Sequence, residues 1–369
     1  MNCLDQQDIT QLRLSNQHIT ANAFDKPEDV VASIGAMQAQ DYQAALWAIG
    51  LRCNEGMTKK DIENRIEARQ IVRTWLMRGT LHFAHASDIR WLLKLFGPRL
   101  LSTAKLRDSH LGLTDKTVEK TMLLFENALK GNKQLQRKEM YEILSKGGVP
   151  SKNNLGYHML YRAAWNGLIC FGAHDGKQPT FALLDEWVRG GSVFSGDDAL
   201  RELAIRYFTS HGPAMLEDYV WWSGLKVSDA RKGIESAKQK LKKEEIDGRT
   251  YYMQKSIAKS KRDASLHLLP AFDEYLIGYR DRSAALDERY VKNAFDKGKI
   301  IYSNGIFLPI IVYEGKVIGT WKKQRMKDKI RIATTSFSKL TRDQEKGILE
   351  EAERYGRFLD SKVECKLSG

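Results

Sequence analysis

The sequence predicts an α+β protein, mainly α, with three tandem winged-helix units followed by a small C-terminal β-barrel-like domain with a terminal helix. Two observations lead to this fold class. An order of three helical stretches and a β-hairpin recurs along the chain, and this is the order of a helix-turn-helix followed by a wing. After about residue 265, strand-like runs rich in β-branched and aromatic residues take over. A chain of 369 residues is long enough for more than one domain.

The first predicted unit, residues 1–110, has the least regular pattern. Three short helical stretches precede IVRTWLMRGTLHFAH, in which Arg78-Gly79 is the predicted turn between two strands of a wing. Two further helices in residues 86–109 are expected to connect this unit to the next.

The second predicted unit, residues 111–192, has the clearest pattern. In TDKTVEKTMLLFENALKG, the residues Val118, Met122, Phe125 and Leu129 recur at helical spacing and form one apolar face. A second helix follows in RKEMYEILSKGG, and Ser151 is the expected N-cap of a third. LICFGAHDGKQPTFALL then has the pattern of strand, turn and strand.

The third predicted unit, residues 193–262, repeats this order after the linker-like stretch RGGSVFSGDD. Pro213 is expected at the first helical position of its second helix. Asp247-Gly248 is a strong two-residue hairpin turn between two strand-like runs.

The C-terminal domain, residues 263–369, is expected to be rich in β-structure. NGIFLPIIVYEGKVIGTWKKQ predicts a hairpin around Glu314-Gly315, and KDKIRIATTSF adds a strand. TRDQEKGILEEAERYGRFL predicts a closing amphipathic helix.

The composition favours a globular protein with an anionic partner. Hydrophobic residues make up 42% and charged residues 28% of the chain, and the net charge is +13. This excess favours nucleic acid first and a membrane surface second, with solubility alone as the alternative explanation. No apolar run approaches the roughly 20 residues that span a bilayer. The N-terminus lacks a charged-then-apolar leader and the 4 cysteines form no C-x-x-C pair, so a reducing cytoplasm is expected.

The common catalytic signatures are missing from the sequence. There is no Walker-type phosphate loop, no G-x-G-x-x-G, no H-E-x-x-H and no G-x-S-x-G. The 8 histidines are scattered without metal-ligand spacing. An enzyme with this sequence is therefore expected to use neither a nucleotide cofactor nor a metal.

Gln38 and Gln40 stand two residues apart, between two predicted helices in GAMQAQDYQAALWAIGLR. Residues at this spacing share a face in an extended segment but not in a helix. Two interpretations are open: the amides point at one spot from an irregular turn, or they only cap the junction of two helices.

Candidate DNA-binding side chains lie mainly on the predicted third helices and wings. In a winged helix, cations neutralise phosphates and aromatic rings can wedge between bases. His82 has a strand position as its alternative, and the hairpin near Asp247-Gly248 lies within the basic run from Lys238 to Arg262. The candidates are Arg78, His82, Lys152, Arg162, Arg231, Lys232, Lys243, Arg249 and Tyr251.

The FDEY stretch is the most acidic point of an otherwise basic neighbourhood. Asp273, Glu274 and Tyr275 are candidates for lining a cavity, and an ion pair with Arg280 or Arg282 is the plainer explanation for the acidic residues. Two tryptophans, Trp47 and Trp75, are expected in the core. Trp221 and Trp222 are adjacent on a predicted helix, so only one of them is expected to be buried.

Several segments, taken together and in order, resemble the winged-helix DNA glycosylase superfamily that includes AlkZ and YcaQ. They are MQAQD followed by ALWAIGLR, then RTWLMRGTLH, RAAWNGLICFG, RYFTSHGPAMLEDYVWWSGL and LLPAFDEYLIGYRDR. The resemblance implies a C-shaped stack of three winged helices with a β-domain, and excision of alkylated purines from DNA. It also implies a catalytic motif of the Gln-apolar-Gln type, which is here Gln38-Ala39-Gln40 and is similar to the AlkZ-like branch. Asp41 comes one position too late for the Gln-apolar-Asp motif of the YcaQ-like branch.

The resulting expectation is a monofunctional DNA glycosylase that hydrolyses the N-glycosidic bond of cationic N-alkylpurines of the N7-alkylguanine type, with bulky adducts or interstrand crosslinks as further substrates. It would act as a cytoplasmic, nucleoid-associated monomer on double-stranded, lesion-containing DNA. The main alternative is a non-enzymatic winged-helix DNA-binding protein or transcription regulator, in which the glutamines are incidental.

Overall fold

The computed structural model describes residues 4–20, 24–152, 154–256, 264–292, 302–303 and 306–367. The chain forms two compact units, one of Met1–Ile62 with Leu200–Gly369 and the other of Glu63–Ala199. We call them the outer-sequence unit and the inner-sequence unit. The predicted first domain, 1–110, is thus divided between the two units, and the finer predicted boundaries at 111, 193 and 263 stay predictions.

The N-terminal part of the outer-sequence unit is helical. Asp5 caps the first helix by accepting from the backbone N–H of Asp8, and Pro27 stands at the start of the second, where its missing N–H costs no hydrogen bond. The elements are α1 (Gln6–Asn16), α2 (Pro27–Ile34), β1 (Met37–Gln38), α3 (Tyr42–Gly50) and α4 (Lys59–Glu67), the last of which crosses into the other unit.

The inner-sequence unit follows the predicted order of helices and hairpins. Its elements are β2 (Ile71–Trp75), a 3₁₀ turn (Met77–Gly79), β3 (Leu81–His85), α5 (Ile89–His110), α6 (Asp115–Leu129), β4 (Leu135–Gln136), α7 (Arg137–Lys146), α8 (Leu155–Trp165), β5 (Ile169–Asp175), β6 (Gln178–Leu183) and α9 (Leu184–Trp187). The predicted apolar face of α6 is confirmed, since Val118, Phe125 and Leu129 are buried in one cluster and Met122 packs against it.

Two sequence predictions in this unit are wrong. Residues 86–109 do not form two helices: α5 is one helix of 22 residues that contains Pro98. Ser151 does not cap the third helix. The cap position is taken by Asn154 in the left-handed conformation, with φ 67°, which asparagine adopts more readily than most residues.

The outer-sequence unit continues from within the next helix to the end of the chain. Its elements are α10 (Gly196–Ser210), α11 (Leu216–Ser223), α12 (Val227–Ser236), β7 (Leu241–Ile246), β8 (Arg249–Gln254), β9 (Leu266–Leu269), α13 (Glu274–Ile277), α14 (Arg289–Lys292), β10 (Tyr302–Ser303), β11 (Ile306–Phe307), β12 (Ile310–Tyr313), β13 (Lys316–Arg325), β14 (Lys329–Ser336), α15 (Arg342–Phe358) and β15 (Lys362–Lys366).

The hairpin of β7 and β8 has the predicted turn. Asp247 and Gly248 both have positive φ, 49° and 71°, as a two-residue turn that matches the twist of its strands requires. Pro213 is not at the first position of α11, which begins only at Leu216. Pro213 lies in a bend instead, and Ala214 after it exchanges backbone hydrogen bonds with Tyr252 of β8.

The C-terminal sheet of the outer-sequence unit has the strand order β15-β14-β13-β12-β9. The predicted hairpin is confirmed, with Glu314 and Gly315 at positive φ between β12 and β13. The predicted terminal helix is α15, capped by Thr341. The sequence prediction missed β15, which pairs in parallel with β14. The strand order does not confirm a closed barrel.

The tryptophan predictions are confirmed. Trp47 and Trp75 are buried, and of the adjacent pair Trp222 is 1% exposed whereas Trp221 is 42% exposed. In the described part of the chain, no helix combines the length and the apolarity that crossing a membrane requires.

Candidate active site around the glutamine pair

The two glutamines lie in a non-helical connection between α2 and α3. Gly35, with φ 94°, ends α2, because this backbone conformation favours glycine. The chain then runs extended through Met37–Gln38. Asp41 caps α3 by accepting from the N–H of Ala44 at 3.0 Å. The capping role that was the alternative for the glutamines is therefore filled by Asp41.

The pair runs from the interior of the outer-sequence unit to its surface. Gln38 is 8% exposed, Ala39 is fully buried, and Gln40 is exposed. The strand ends at Gln38, and Gln40 lies in the bend that follows it. The segment thus offers one amide in a shielded setting and one at the solvent boundary.

The backbone of Gln38 is held by a buried carboxylate. Its N–H donates to Oε1 of Glu274 at 3.0 Å, although the two residues are 236 positions apart. The other oxygen, Oε2, accepts from Nε1 of Trp222 at 3.0 Å and lies 3.3 Å from Nε2 of His211. Glu274 is only 2% exposed, so all these bonds form away from bulk water.

Aromatic rings surround this carboxylate. Tyr207 stacks on His211 with ring centroids 4.6 Å apart and packs against Trp222 at 4.9 Å. The hydroxyl of Tyr207 donates to the carbonyl of Gly278, just beyond α13. Burial raises the pKa of Tyr207 well above its usual range, so the hydroxyl stays a donor.

The neighbouring carboxylate, Asp273, pairs with Arg52 at the end of α3. The guanidinium donates to both oxygens of Asp273 at 2.9 Å, and also to the carbonyls of Ala48 at 2.7 Å and Gln17 at 2.9 Å. A bidentate bond of this kind is among the stronger ones a protein makes. Arg52 is therefore a junction between α1, α3 and α13.

The predicted roles of the FDEY stretch need correction. Asp273 does not pair with Arg280 or Arg282, because Arg52 occupies both of its oxygens. It does not line a cavity either, since its side chain is 1% exposed. Tyr275 is equally buried, and its hydroxyl donates to the carbonyl of Gly315 at 2.6 Å. Both residues hold the core together.

Predicted DNA contacts of α12 and its hairpin are mostly at the surface. Arg231 and Lys232 on α12 and Lys243 on β7 are exposed, and they stay predictions. Arg249 is half exposed and pairs with Asp281. Tyr251 is corrected: it is 3% exposed and packs in a small core with Ile246 and Met253, so its ring cannot wedge between bases.

A groove of about 390 Å³ lies between α12 and this hairpin. Apolar residues form part of its wall, and most of the charged residues around it are basic. The lining residues are Leu216, Arg231, Ile234, Glu235, Lys238, Leu241, Lys242, Lys243 and Tyr252. The rest of the predicted basic run, residues 257–263 with Arg262, lies outside the described residues.

Two of the four candidates in the inner-sequence unit are buried. His82 is 1% exposed, and its Nδ1 lies 2.9 Å from the carbonyl of Thr80. Arg162 donates to Asp108 at 2.6 Å in a buried ion pair. Direct DNA contact by either is ruled out by this burial. The remaining two, Arg78 in its turn and the exposed Lys152, stay predictions.

Sequence reasoning missed Glu274 as a partner of the glutamine segment, and it missed Arg52 and His211. The sequence does indicate a buried partner for Arg52. This arginine ends the apolar stretch ALWAIGLR, and a charged group next to a buried helix needs a partner inside the protein. Within the described residues, no group of three or more His, Cys, Asp and Glu side chains is arranged to hold a metal ion.

Comparison with known proteins places the chain among DNA glycosylases. A family model described as "DNA glycosylase AlkZ-like" matches residues 31–358, a span that includes Gln38 and Gln40. A Streptomyces sahachiroi protein named "Interstrand DNA cross-link repair glycosylase" is 24% identical over 329 residues, which cover 84% of this chain and 85% of the relative. The solved structure of Streptomyces sahachiroi DNA glycosylase AlkZ is similar in fold, with a TM-score of 0.79, 20% identity and full coverage of both chains.

Proposed function

This chain belongs to the AlkZ-like family of DNA glycosylases, and from that premise we propose that it hydrolyses the N-glycosidic bond of cationic N-alkylated purines, with Gln38 and Gln40 as its catalytic residues. It is thus a hydrolase whose substrate is DNA. The observation that carries the proposal is the glutamine segment itself: it lies inside the family match, outside any helix, with its backbone tied to a buried carboxylate.

The chemistry of the leaving group explains why amides suffice. Alkylation at N7 or N3 puts a positive charge on a purine, so the base departs without a strong acid. This differs from most glycoside hydrolases, which use a pair of carboxylates to protonate the leaving group and to assist the attack. The remaining tasks are to stabilise a developing oxocarbenium ion and to orient a water molecule.

The side-chain carbonyls of Gln38 and Gln40 are suited to both tasks. A fixed dipole directed at developing charge acts strongly in a shielded site, and the buried position of Gln38 supplies such a setting. The exposed Gln40 is suited to hold a water molecule at the solvent boundary. Since neither amide is charged, the pair should act poorly on uncharged, undamaged bases.

We propose that three winged-helix units carry the DNA. The support is an order of three helices followed by a hairpin, which occurs three times in the chain. The helices and their hairpins are α2, α3 and α4 with β2-β3, then α6, α7 and α8 with β5-β6, and then α10, α11 and α12 with β7-β8. In the last unit, the basic groove between α12 and the β7-β8 hairpin is the part best suited to phosphates.

Bulky N7 adducts and interstrand crosslinks are proposed as further substrates. The support is the name of the similar Streptomyces sahachiroi protein, an interstrand DNA cross-link repair glycosylase. A base that is crosslinked to the opposite strand cannot be flipped into a pocket in the way that many glycosylases require. Handling such a base requires an open cleft. We further propose that the protein acts as a cytoplasmic monomer without a nucleotide cofactor or metal.

The direct test is a single-turnover incubation with a duplex that carries one N7-methylguanine, followed by alkaline cleavage at abasic sites. We expect excision by the parent protein. The Gln38→Ala and Gln40→Ala variants should each lose on the order of 100-fold in rate, the usual cost of removing one stabilising dipole from an active site.

The matched control is Gln43→Ala, which removes another exposed glutamine from the first turn of α3. It should cleave like the parent. If either glutamine variant also cleaves like the parent, the catalytic assignment fails. If the parent excises neither N7-methylguanine nor a crosslinked base, the proposed substrate class is wrong.

A further inference from the structure

We propose that Glu274 is the positioning residue of the glutamine pair: its buried carboxylate fixes the backbone at Gln38, and through it the place of both amides. This inference rests on the proposed function of the pair. It concerns how the site is held and not which groups touch the DNA.

The bond to Gln38 is direct and shielded. Glu274 accepts the backbone N–H of Gln38 at 3.0 Å, within the ordinary range of a good hydrogen bond, and the acceptor is 2% exposed. Removing the acceptor would leave a buried N–H without this partner, which is unfavourable because the lost bond is not replaced by water.

The carboxylate is itself held in place from its far side. Oε2 accepts from Nε1 of Trp222, a group that can only donate, and lies near Nε2 of His211. Nδ1 of His211 is 2.8 Å from the hydroxyl of Ser210. Glu274 therefore connects the glutamine segment to α11 through Trp222 and to the end of α10 through His211.

The neighbouring Asp273 holds the other end of the same segment. Its bidentate bond fixes Arg52, which lies beyond the C-terminal end of α3, whereas Glu274 fixes Gln38, which lies before its N-terminal end. Two consecutive acidic residues thus clamp the stretch from Gln38 to Arg52 at both ends. A clamp of this kind restricts the backbone from which the catalytic amides extend.

The expected consequence for catalysis is large. A displacement of about 1 Å at a reacting group can lower a rate on the order of 100-fold without abolishing substrate binding. Loss of the Glu274 carboxylate should therefore lower the maximal single-turnover rate while the duplex concentration at half-saturation stays the same. A role in fold stability alone would instead reduce the folded fraction and leave the rate of the folded protein unchanged.

The first measurement is independent of activity. We would follow backbone hydrogen exchange in peptides covering residues 36–41, for the full-length parent and the Glu274→Ala and Glu274→Gln variants. Exchange in this segment should rise at least tenfold in Glu274→Ala and less in Glu274→Gln, whose carbonyl can still accept from Gln38. Unchanged exchange in both variants would overturn the proposal.

The control is Asp108→Asn, which alters another buried carboxylate, 9% exposed, in the inner-sequence unit, bonded to His158 and Arg162. It should leave exchange at residues 36–41 unchanged. If it raises that exchange as much as Glu274→Ala does, the effect is general loosening and the proposal fails.

The second measurement is single-turnover excision by the same variants. We expect the maximal rate to fall on the order of 100-fold in Glu274→Ala and to recover partly in Glu274→Gln, with half-saturation unchanged. A parental rate in folded Glu274→Ala would overturn the positioning role. If the parent itself does not excise, the proposed function fails, and the exchange experiment still decides whether Glu274 holds the segment.

Discussion

At the scale of single residues, Arg52 determines how firmly the end of α3 is held. Its guanidinium is buried and donates to Asp273 as well as to the carbonyls of Ala48 and Gln17. Arginine is suited to this position because its planar fork matches a carboxylate and the remaining N–H groups reach other acceptors. Removing one partner of such a pair leaves an uncompensated charge inside the protein.

Arg52→Met should therefore lower the free energy of unfolding by about 3–5 kcal/mol, and Arg52→Lys by less, because lysine keeps the charge but not the fork. Urea unfolding followed by fluorescence measures both. Lys238→Met is the control: it removes a cation from an exposed pair with Glu235 and should cost about 1 kcal/mol or less. Equal losses in Arg52→Met and Lys238→Met would contradict the assigned role of Arg52.

The same scale shows what a sequence reveals about single side chains. The burial of Trp222 and the exposure of Trp221 followed from helical geometry alone, because adjacent residues on a helix face different directions. Arg162 and His82 were expected at the DNA surface and are buried instead. Their residue types suggested phosphate contact, but the sequence does not show that Asp108, 54 positions away, supplies the partner of Arg162.

At the scale of elements, α12 and the β7-β8 hairpin bring several basic side chains into one groove. Arg231 on the helix and Lys243 on the strand line the same groove, with Lys238 and Lys242 beside them. Several of these lysines pair with exposed glutamates, such as Lys243 with Glu245 at 3.6 Å. Exposed pairs of this kind are weak, so they can be exchanged for phosphate contacts at little cost.

The double variant Arg231→Ala, Lys243→Ala should weaken binding to duplex DNA uniformly across sequences. Each lost phosphate contact should reduce the slope of log affinity against log salt by about 1. Fluorescence anisotropy over a salt series, with two duplexes of unrelated sequence, measures this. Lys346→Ala removes a similarly exposed cation from α15 and should leave the slope unchanged. An unaltered slope in the double variant would show that this groove does not contact the DNA phosphates.

Element boundaries were predictable where local chemistry determines them. The Asp247-Gly248 and Glu314-Gly315 turns each depend on a few consecutive residues. Pro213 was expected at the start of a helix but lies in a bend, because the next residue, Ala214, pairs with Tyr252 of a later strand. That pairing joins residues that are far apart in the sequence, so the residues around Pro213 do not predict it.

At the scale of the whole molecule, the two ends of the chain build one unit. Met1–Ile62 joins Leu200–Gly369, although the repeated pattern suggested units that follow one another along the sequence. The bonds responsible are long-range: Gln38 with Glu274 and Arg52 with Asp273 join residues 236 and 221 positions apart. Hydrophobic periodicity predicted the helices and strands, and the family resemblance indicated the two glutamines. Neither identifies which distant residue bonds to Gln38 or to Arg52.

Two buried thiols allow the two units to be followed separately. Cys53 lies in the outer-sequence unit and Cys170 in the inner-sequence unit, and both are fully buried. Burial raises the pKa of Cys53 to about 12 and raises that of Cys170 as well, so neither forms a reactive thiolate near neutral pH while its unit stays folded. The thiol of Cys365 is partly exposed.

In a labelling series with iodoacetamide at pH 8, Cys365 should react before Cys53 and Cys170, and peptide mass spectrometry identifies the modified residue. Arg52→Met should lower the urea concentration at which Cys53 becomes reactive, because its lost ion pair belongs to the same unit. Asp108→Asn should do the same for Cys170.

Raising the pH to 9 without urea should not make Cys53 or Cys170 reactive towards iodoacetamide, since the pKa values of both thiols stay above that pH. Labelling of Cys53 in the native protein at this pH would show that the segment after α3 opens without unfolding, contrary to the clamp formed by Arg52 and Asp273.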